Sequence, residues 1–188
     1  MKIPHKIAYL SLAFFCLNFS FAQNTDLNTS RSEVYKTESN NHIQEAIATE
    51  NHKTLIAALK STDLEESLDE NVPFTIFAPS DIAFSKLSPS KLKELLNSDD
   101  KNELKSVLKY HIVAGKLTAS KILKALCRGK GKATFTTIQG NKITATMRGL
   151  DIILTDSMGN SAKITVADST QGNGVMHEID SVILPTRI

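Results

Sequence analysis

Histidine and cysteine are the side chains of this chain whose types could support catalysis or metal binding, yet neither occurs in a pattern typical of such sites. Nucleophilic catalysis needs a nucleophile, a base and a group that orients the base. The sequence has no Gly-x-Ser-x-Gly turn, and Cys127 stands alone at a lysine-rich helix end. His111 and His177 are isolated histidines without cysteines or carboxylates at the spacing of a metal site. We therefore predict a protein that is not an enzyme and holds neither a metal nor a cofactor.

Basic residues are unevenly distributed along the chain. Between Glu103 and Asp151 there is no acidic residue, whereas ten residues are basic: Lys105, Lys109, Lys116, Lys121, Lys124, Arg128, Lys130, Lys132, Lys142 and Arg148. This acid-free segment could form a basic surface that attracts an anionic glycan or another anionic envelope component. Alternatively, folding could interleave its lysines with carboxylates from the rest of the chain. The candidate binding residues within it are Lys124, Arg128, Lys130 and Lys132.

Two motifs and a dipeptide between them organise the rest of the chain. Residues 74–84, Phe-Thr-Ile-Phe-Ala-Pro-Ser-Asp-Ile-Ala-Phe, predict an apolar strand stopped by a proline, followed by a helix that Ser80 caps. Residues 173–185, Asn-Gly-Val-Met-His-Glu-Ile-Asp-Ser-Val-Ile-Leu-Pro, predict a glycine turn and a terminal strand. Tyr110-His111 lies between them. In this order and spacing, these segments resemble the two sequence blocks and central Tyr-His of the fasciclin-like domain, over residues 41–186.

The resemblance implies a fold and a role for particular residues. It implies a wedge-shaped β-sandwich with helices packed along one side, in a secreted or surface-held adhesion module. In animal relatives such as periostin the Tyr-His region is implicated in integrin contact, which makes Tyr110 and His111 candidate binding residues. The alternative is structural, with the histidine donating to a buried acceptor and locking a helix to a strand. Asp81 and Asn173 are expected to cap and bridge turns, and Cys127 to be a small buried side chain.

Hydrophobic periodicity predicts helices in the first part of the chain and strands in the last. Apolar residues recur at helical spacing from residue 41 to about residue 126, with Ser88 and Thr118 as helix caps. Beyond Gly131, residues 134–139 and 142–148 flank Gly140-Asn141, the signal of a two-residue hairpin turn. In the second of these strands Ile143, Ala145 and Met147 share one face. Helices followed by strands indicate an α+β domain.

The N-terminus predicts export. Residues 1–22 carry a basic start, an apolar stretch and small residues at Ser20 and Ala22, as a cleavable signal peptide does. An uncleaved membrane anchor is the alternative. Residues 23–40 read as a polar linker before the single domain at 41–186. Without Lys2 and Lys6 the chain keeps 20 basic and 20 acidic side chains, and this neutrality argues against a nucleic-acid-binding protein.

These observations together predict an exported interaction module. We expect it to bind a cell-surface or extracellular-matrix component, protein or anionic glycan, in the periplasm or outside the cell, and to reach a membrane only through a partner. A different class remains open, namely a carrier of a small apolar ligand in a cleft between helices and sheet. A large apolar pocket would favour the carrier, whereas a filled core with a charged or flat face would favour adhesion.

Overall fold

The computed structural model describes residues 50–64, 72–171 and 173–186, all of which belong to one unit. The predicted signal peptide, the linker and residues 41–49 lie outside the described residues. The helices are α1 (Lys53–Lys60), α2 (Asp81–Ser85), α3 (Pro89–Asn97), α4 (Asn102–Tyr110) and α5 (Ala119–Arg128). The strands are β1 (Phe74–Pro79), β2 (Ile112–Ala114), β3 (Lys132–Thr136), β4 (Lys142–Arg148), β5 (Asp151–Thr155), β6 (Ser161–Gln171) and β7 (Gly174–Ile179).

The strands form one mixed sheet in the order β2-β1-β7-β6-β5-β4-β3. Strands β1 and β7 are parallel and every other pair is antiparallel. Long strand β6 belongs to both halves of the sheet, and its register shifts between Ile164 and Ser169 allow it to bend from one half to the other. The two edge strands meet again at an isolated bridge between Val113 and Thr137. The sheet therefore folds back on itself.

Two apolar clusters fill the molecule on either side of the central strands. The first joins helices α1 to α4 to the sheet, with side chains such as Leu55 and Leu108 packed against Ile76. The second lies between the two halves of the sheet, where Phe77 packs with Leu154 and with Ile122 of α5. Because both halves contribute inward-facing residues to this second cluster, the architecture is a sandwich. The predicted α+β class is confirmed.

Local sequence signals explain where three helices begin. The hydroxyls of Ser80, Ser88 and Thr118 each accept a hydrogen bond from the backbone N–H three residues later, at 3.2, 3.2 and 3.4 Å. Each bond satisfies one of the N–H groups that the first helical turn leaves without a partner. These three predicted caps are confirmed.

The predicted two-residue turn at Gly140-Asn141 is wrong. Strand β3 ends at Thr136, which pairs with Lys142, so that a five-residue loop connects the two strands. Thr137 still donates its N–H to the carbonyl of Asn141 at 2.9 Å, but it also bridges to Val113, and the N–H of Ile138 donates to the carbonyl of Ile112 at 2.8 Å. Contacts with β2 thus override the local turn signal.

Candidate functional site

Tyr110 and His111, at the end of α4, are both buried. The hydroxyl of Tyr110 donates to the carbonyl of Lys142 at 3.0 Å, and burial together with the nearby Asp156 raises its pKa. Nδ1 of His111 lies 2.7 Å from the carbonyl of Val107, and Nε2 accepts from the N–H of Ile183 at 3.4 Å. Because both ring nitrogens face fixed partners, the ring must be neutral with its proton on Nδ1.

This geometry favours the structural alternative for the pair. Burial lowers the pKa of His111 to about 4, so the ring carries no charge at neutral pH. His111 joins α4 to the C-terminal segment, while Tyr110 joins α4 to β4. Neither side chain presents a polar atom to solvent in this conformation. Ligand binding by Tyr110 and His111 stays a prediction, and it would require their rings to become exposed.

His177 has an equivalent role on β7. Its Nε2 lies 2.6 Å from the carbonyl of Leu117, its Nδ1 accepts from the N–H of Asp168 at 3.2 Å, and its ring stacks on Phe77. The Asp168 carboxylate in turn accepts from the N–H of Ala119, the first residue of α5, at 2.7 Å. Burial lowers the pKa of His177. This chain of bonds fixes the start of α5 against the sheet.

The polar residues Asp81 and Asn173 of the two motifs behave as predicted. The carboxylate of Asp81 accepts from the N–H groups of Thr54 and Lys53 at 2.8 and 3.2 Å, which caps α1. Burial alone would raise the pKa of Asp81, but hydrogen bonds from Thr54 and Lys53 outweigh it and lower that pKa. Nδ2 of Asn173 donates to the carbonyl of Val72 at 3.1 Å and so bridges the segment before β1 to the turn before β7.

The basic candidates are exposed at one end of α5 and in the loop that follows it. Helix α5 buries Ile122 and Leu126, so that Lys124 and Arg128 point outward. The next turn places Lys130 at a φ of 53°, and Lys132 opens β3 on its exposed face. Sequence reasoning identified these residues from the distribution of charge along the chain, and the structure places them on α5, in the short connection after it and at the start of β3.

Charge pairing differs between this surface and the rest of the domain. Within the described ranges, Lys86, Lys91 and Lys163 form ion pairs, and these three lysines lie outside the acid-free segment. Among the described residues, no carboxylate lies within ion-pair distance of Lys124, Arg128, Lys130 or Lys132. In the described part of the chain, carboxylates therefore do not pair with these four side chains as the interleaved alternative would require.

Cys127 departs from its prediction. It is exposed on α5 and forms no disulfide, whereas the sequence predicted a buried thiol. The reason is its helical position, because the buried side of α5 is occupied by Ile122 and Leu126.

The described ranges also contain no group of three metal-ligating side chains placed to hold an ion. No helix within them is long and apolar enough to span a bilayer.

The fold and the site define a small α+β sandwich whose motif residues are structural and whose charged surface lies to one side. The chain belongs to the fasciclin domain family, whose model matches residues 50–185. A solved FAS1 domain pair from the insect cell adhesion molecule fasciclin I matches with a TM-score of 0.64 and 20% identity, covering 74% of this chain and 49% of that one. The wedge-shaped fold implied by the sequence resemblance is thereby confirmed.

The relatives differ in the fraction of their own length that this chain covers. Protein sll1483 of Synechocystis is 29% identical over 185 residues, 95% of each chain. Immunogenic protein MPB70 of Mycobacterium bovis is 32% identical over 70% of this chain and 62% of its own. Human periostin is 31% identical over 69% of this chain, which corresponds to 14% of periostin. The domain thus occurs both nearly alone and within much longer proteins.

Proposed function

We propose that the protein is an exported interaction module that binds a cell-surface or extracellular-matrix component, protein or glycan, without catalysis. Membership of the fasciclin domain family supports an interaction role, and one structural neighbour is described as a cell adhesion molecule. The names of the relatives cited above are not names of enzymes. The observation that carries the proposal is the exposed basic surface formed by Lys124, Arg128, Lys130 and Lys132.

The electrostatics of this surface favour an anionic glycan as partner. Exposed cations that form no ion pair with the described carboxylates produce a positive potential that extends roughly a Debye length, about 10 Å at about 0.1 M salt. A linear polyanion can engage several of these cations at once, because they are spread along a helix end, a loop and a strand. Each single contact is weak in water, so that binding depends on several acting together.

The filled core favours adhesion over a carrier function. A carrier would need an apolar cleft between helices and sheet. In this domain the first apolar cluster occupies that space, with fully buried side chains such as Leu55, Leu104 and Ile76 in mutual contact. A ligand there would have to displace side chains that stabilise the fold.

Charge reversal tests the proposal. The triple variant Arg128→Glu, Lys130→Glu and Lys132→Glu should lose retention on an immobilised anionic glycan at about 0.1 M salt, and the parent should lose it at about 1 M salt, where the Debye length is about 3 Å. The control triple Lys53→Glu, Lys60→Glu and Lys93→Glu alters exposed lysines outside the acid-free segment by the same total charge. It should bind as the parent does. Equal retention of the two triples would refute the proposal.

A further inference from the structure

The turn between β4 and β5 exposes Leu150, a leucine that plays no part in packing the domain. Arg148 pairs with Asp151, which leaves Gly149-Leu150 as a two-residue hairpin turn. Gly149 supplies the positive φ, 63°, that the first position of such a turn requires. The second position accepts a polar residue equally well, yet it holds Leu150, which is 97% exposed. Its apolar surface therefore contributes nothing to the stability of this domain.

Basic residues lie beside this apolar apex. Lys132 pairs with Thr146, two residues before Arg148, so that Lys132 and Arg148 lie on the same face of the sheet next to the turn, and Lys130 lies in the connection just before β3. Met147, one residue before Arg148, is 38% exposed and extends the apolar surface behind the apex. The acidic residue at the tip is Asp151, whose carboxylate lies 3.8 Å from Nζ of Lys163. The tip thus combines Leu150 and Met147 with a local excess of positive charge.

This combination selects among possible anionic partners. A glycan offers charge but no apolar layer for an aliphatic side chain. A leucine that protrudes from a two-residue turn can insert into the fluid apolar layer of a bilayer. A protein partner would have to provide a preformed pocket for the same side chain. A bilayer that contains anionic lipid presents phosphate groups above hydrocarbon, which matches basic residues set around a protruding leucine.

We propose that the β4–β5 turn docks the domain directly on an anionic lipid bilayer, with Leu150 inserted below the headgroups and Arg148, Lys130 and Lys132 at the phosphates. This site goes beyond the glycan-binding surface and revises the expectation that a membrane is reached only through a partner. The exposure of Leu150 depends on its place in the turn, and it could not be deduced from composition.

Vesicle binding tests the apolar part of the site. The exported protein should bind phosphatidylcholine vesicles that contain phosphatidylglycerol and not vesicles of phosphatidylcholine alone. Leu150→Ser should weaken this binding at least about tenfold, since it removes the inserted side chain. The matched control is Met158→Ser, because Met158 is 63% exposed in the β5–β6 turn at the opposite end of β5. That variant should bind as the parent does.

A fluorescence reporter locates the contact. The chain contains no tryptophan, so Leu150→Trp and Met158→Trp each introduce a single indole. Anionic vesicles should shift the emission of Trp at position 150 to the blue and expose it to lipid-borne quenchers, while emission from position 158 should not change. An unshifted signal at position 150 in vesicle-bound protein would overturn the proposal.

Charge neutralisation separates this site from the glycan-binding proposal. Arg148→Gln should weaken vesicle binding about fivefold, as expected for one basic residue at an anionic membrane surface. Leu150→Ser should leave glycan retention unchanged. Failure of the parent to be retained on the glycan at about 0.1 M salt would refute only the proposed function. Vesicle binding that is insensitive to both Leu150→Ser and Arg148→Gln would refute only the membrane site.

Discussion

The buried histidines of the Tyr-His dipeptide and of the second motif, His111 and His177, each hold a single neutral tautomer. His111 donates from Nδ1 and accepts at Nε2, whereas His177 donates from Nε2 and accepts at Nδ1. Protonation would turn each accepting nitrogen into a donor that faces a backbone N–H. Burial lowers the pKa of both rings for the same reason, because the interior disfavours the charged form.

Acid should therefore destabilise the domain through His111. Its pKa is lowered from 6.5 to about 4 in the folded state. The stability that this difference supplies is present above pH 6.5 and is lost as the pH falls towards 4, because the unfolded chain binds the proton first. The loss amounts to about 3 kcal/mol. Urea unfolding across this range should give a smaller pH dependence for His111→Gln than for the parent, and an identical slope would contradict this account.

Truncating the same residue tests its structural role at neutral pH. His111→Ala leaves the carbonyl of Val107 and the N–H of Ile183 without the ring, at a cost of about 1–3 kcal/mol. Tyr110→Phe removes only the hydrogen bond to Lys142 and should cost about 1 kcal/mol. Thermal unfolding would measure both. An unchanged Tm of His111→Ala together with lost partner binding would make His111 a contact residue instead.

The connection between α5 and β3 determines where the basic side chains point. A Cβ added at Gly129 would lie 1.8 Å from the carbonyl oxygen of Lys132, which is backbone and cannot rotate away. At Gly131 nothing lies within 4 Å of such an atom, although φ there is 90°. Glycine at position 129 is thus required by close approach, and glycine at position 131 by conformation.

These two glycines should respond differently to substitution. Gly129→Ala should lower the free energy of unfolding by more than the roughly 1–3 kcal/mol of ordinary overpacking, because the loop must open to accommodate the methyl group. Gly131→Ala should cost only about 1–2 kcal/mol, the penalty of a left-handed residue. Chemical unfolding gives the ranking, and glycan retention measured at equal folded fraction should fall further in Gly129→Ala. The reverse ranking would show that the loop tolerates rearrangement.

Sequence reasoning succeeded where the determining contacts are local in the chain. The caps at Ser80, Ser88 and Thr118 depend on residues three positions apart and were predicted. The end of β3 was not, because Thr137 responds to Val113, which is distant in sequence. Burial of Cys127 was wrong for a related reason, since its side of α5 follows from how Ile122 and Leu126 pack. Exposure of Leu150 likewise depends on the strand pairing that forms its turn.

At the scale of the molecule, charge segregation matters more than net charge. The acid-free segment carries ten basic residues in a chain whose predicted exported form has equal numbers of each sign. The net charge of that form provides no long-range attraction to polyanions, so the proposed glycan binding would have to come from the local basic surface. Binding that follows this surface should be lost at high salt even though the folded domain persists, because exposed charges are screened more strongly than the buried apolar clusters.

The predicted export would set the form in which these surfaces act. The apolar stretch of the N-terminus is short for a membrane span, which needs about 20 apolar residues, and it ends at Ser20-Phe21-Ala22. Signal cleavage should leave Gln23 as the first residue and remove Cys16, so that Cys127 becomes the single cysteine of the exported chain. Mass spectrometry of the exported protein should give the mass of residues 23–188. A chain that retains Met1 in a membrane fraction would instead be anchored through its N-terminus. In that case the Trp reporter at position 150 would be needed to distinguish membrane contact by the β4–β5 turn from anchoring by the N-terminus.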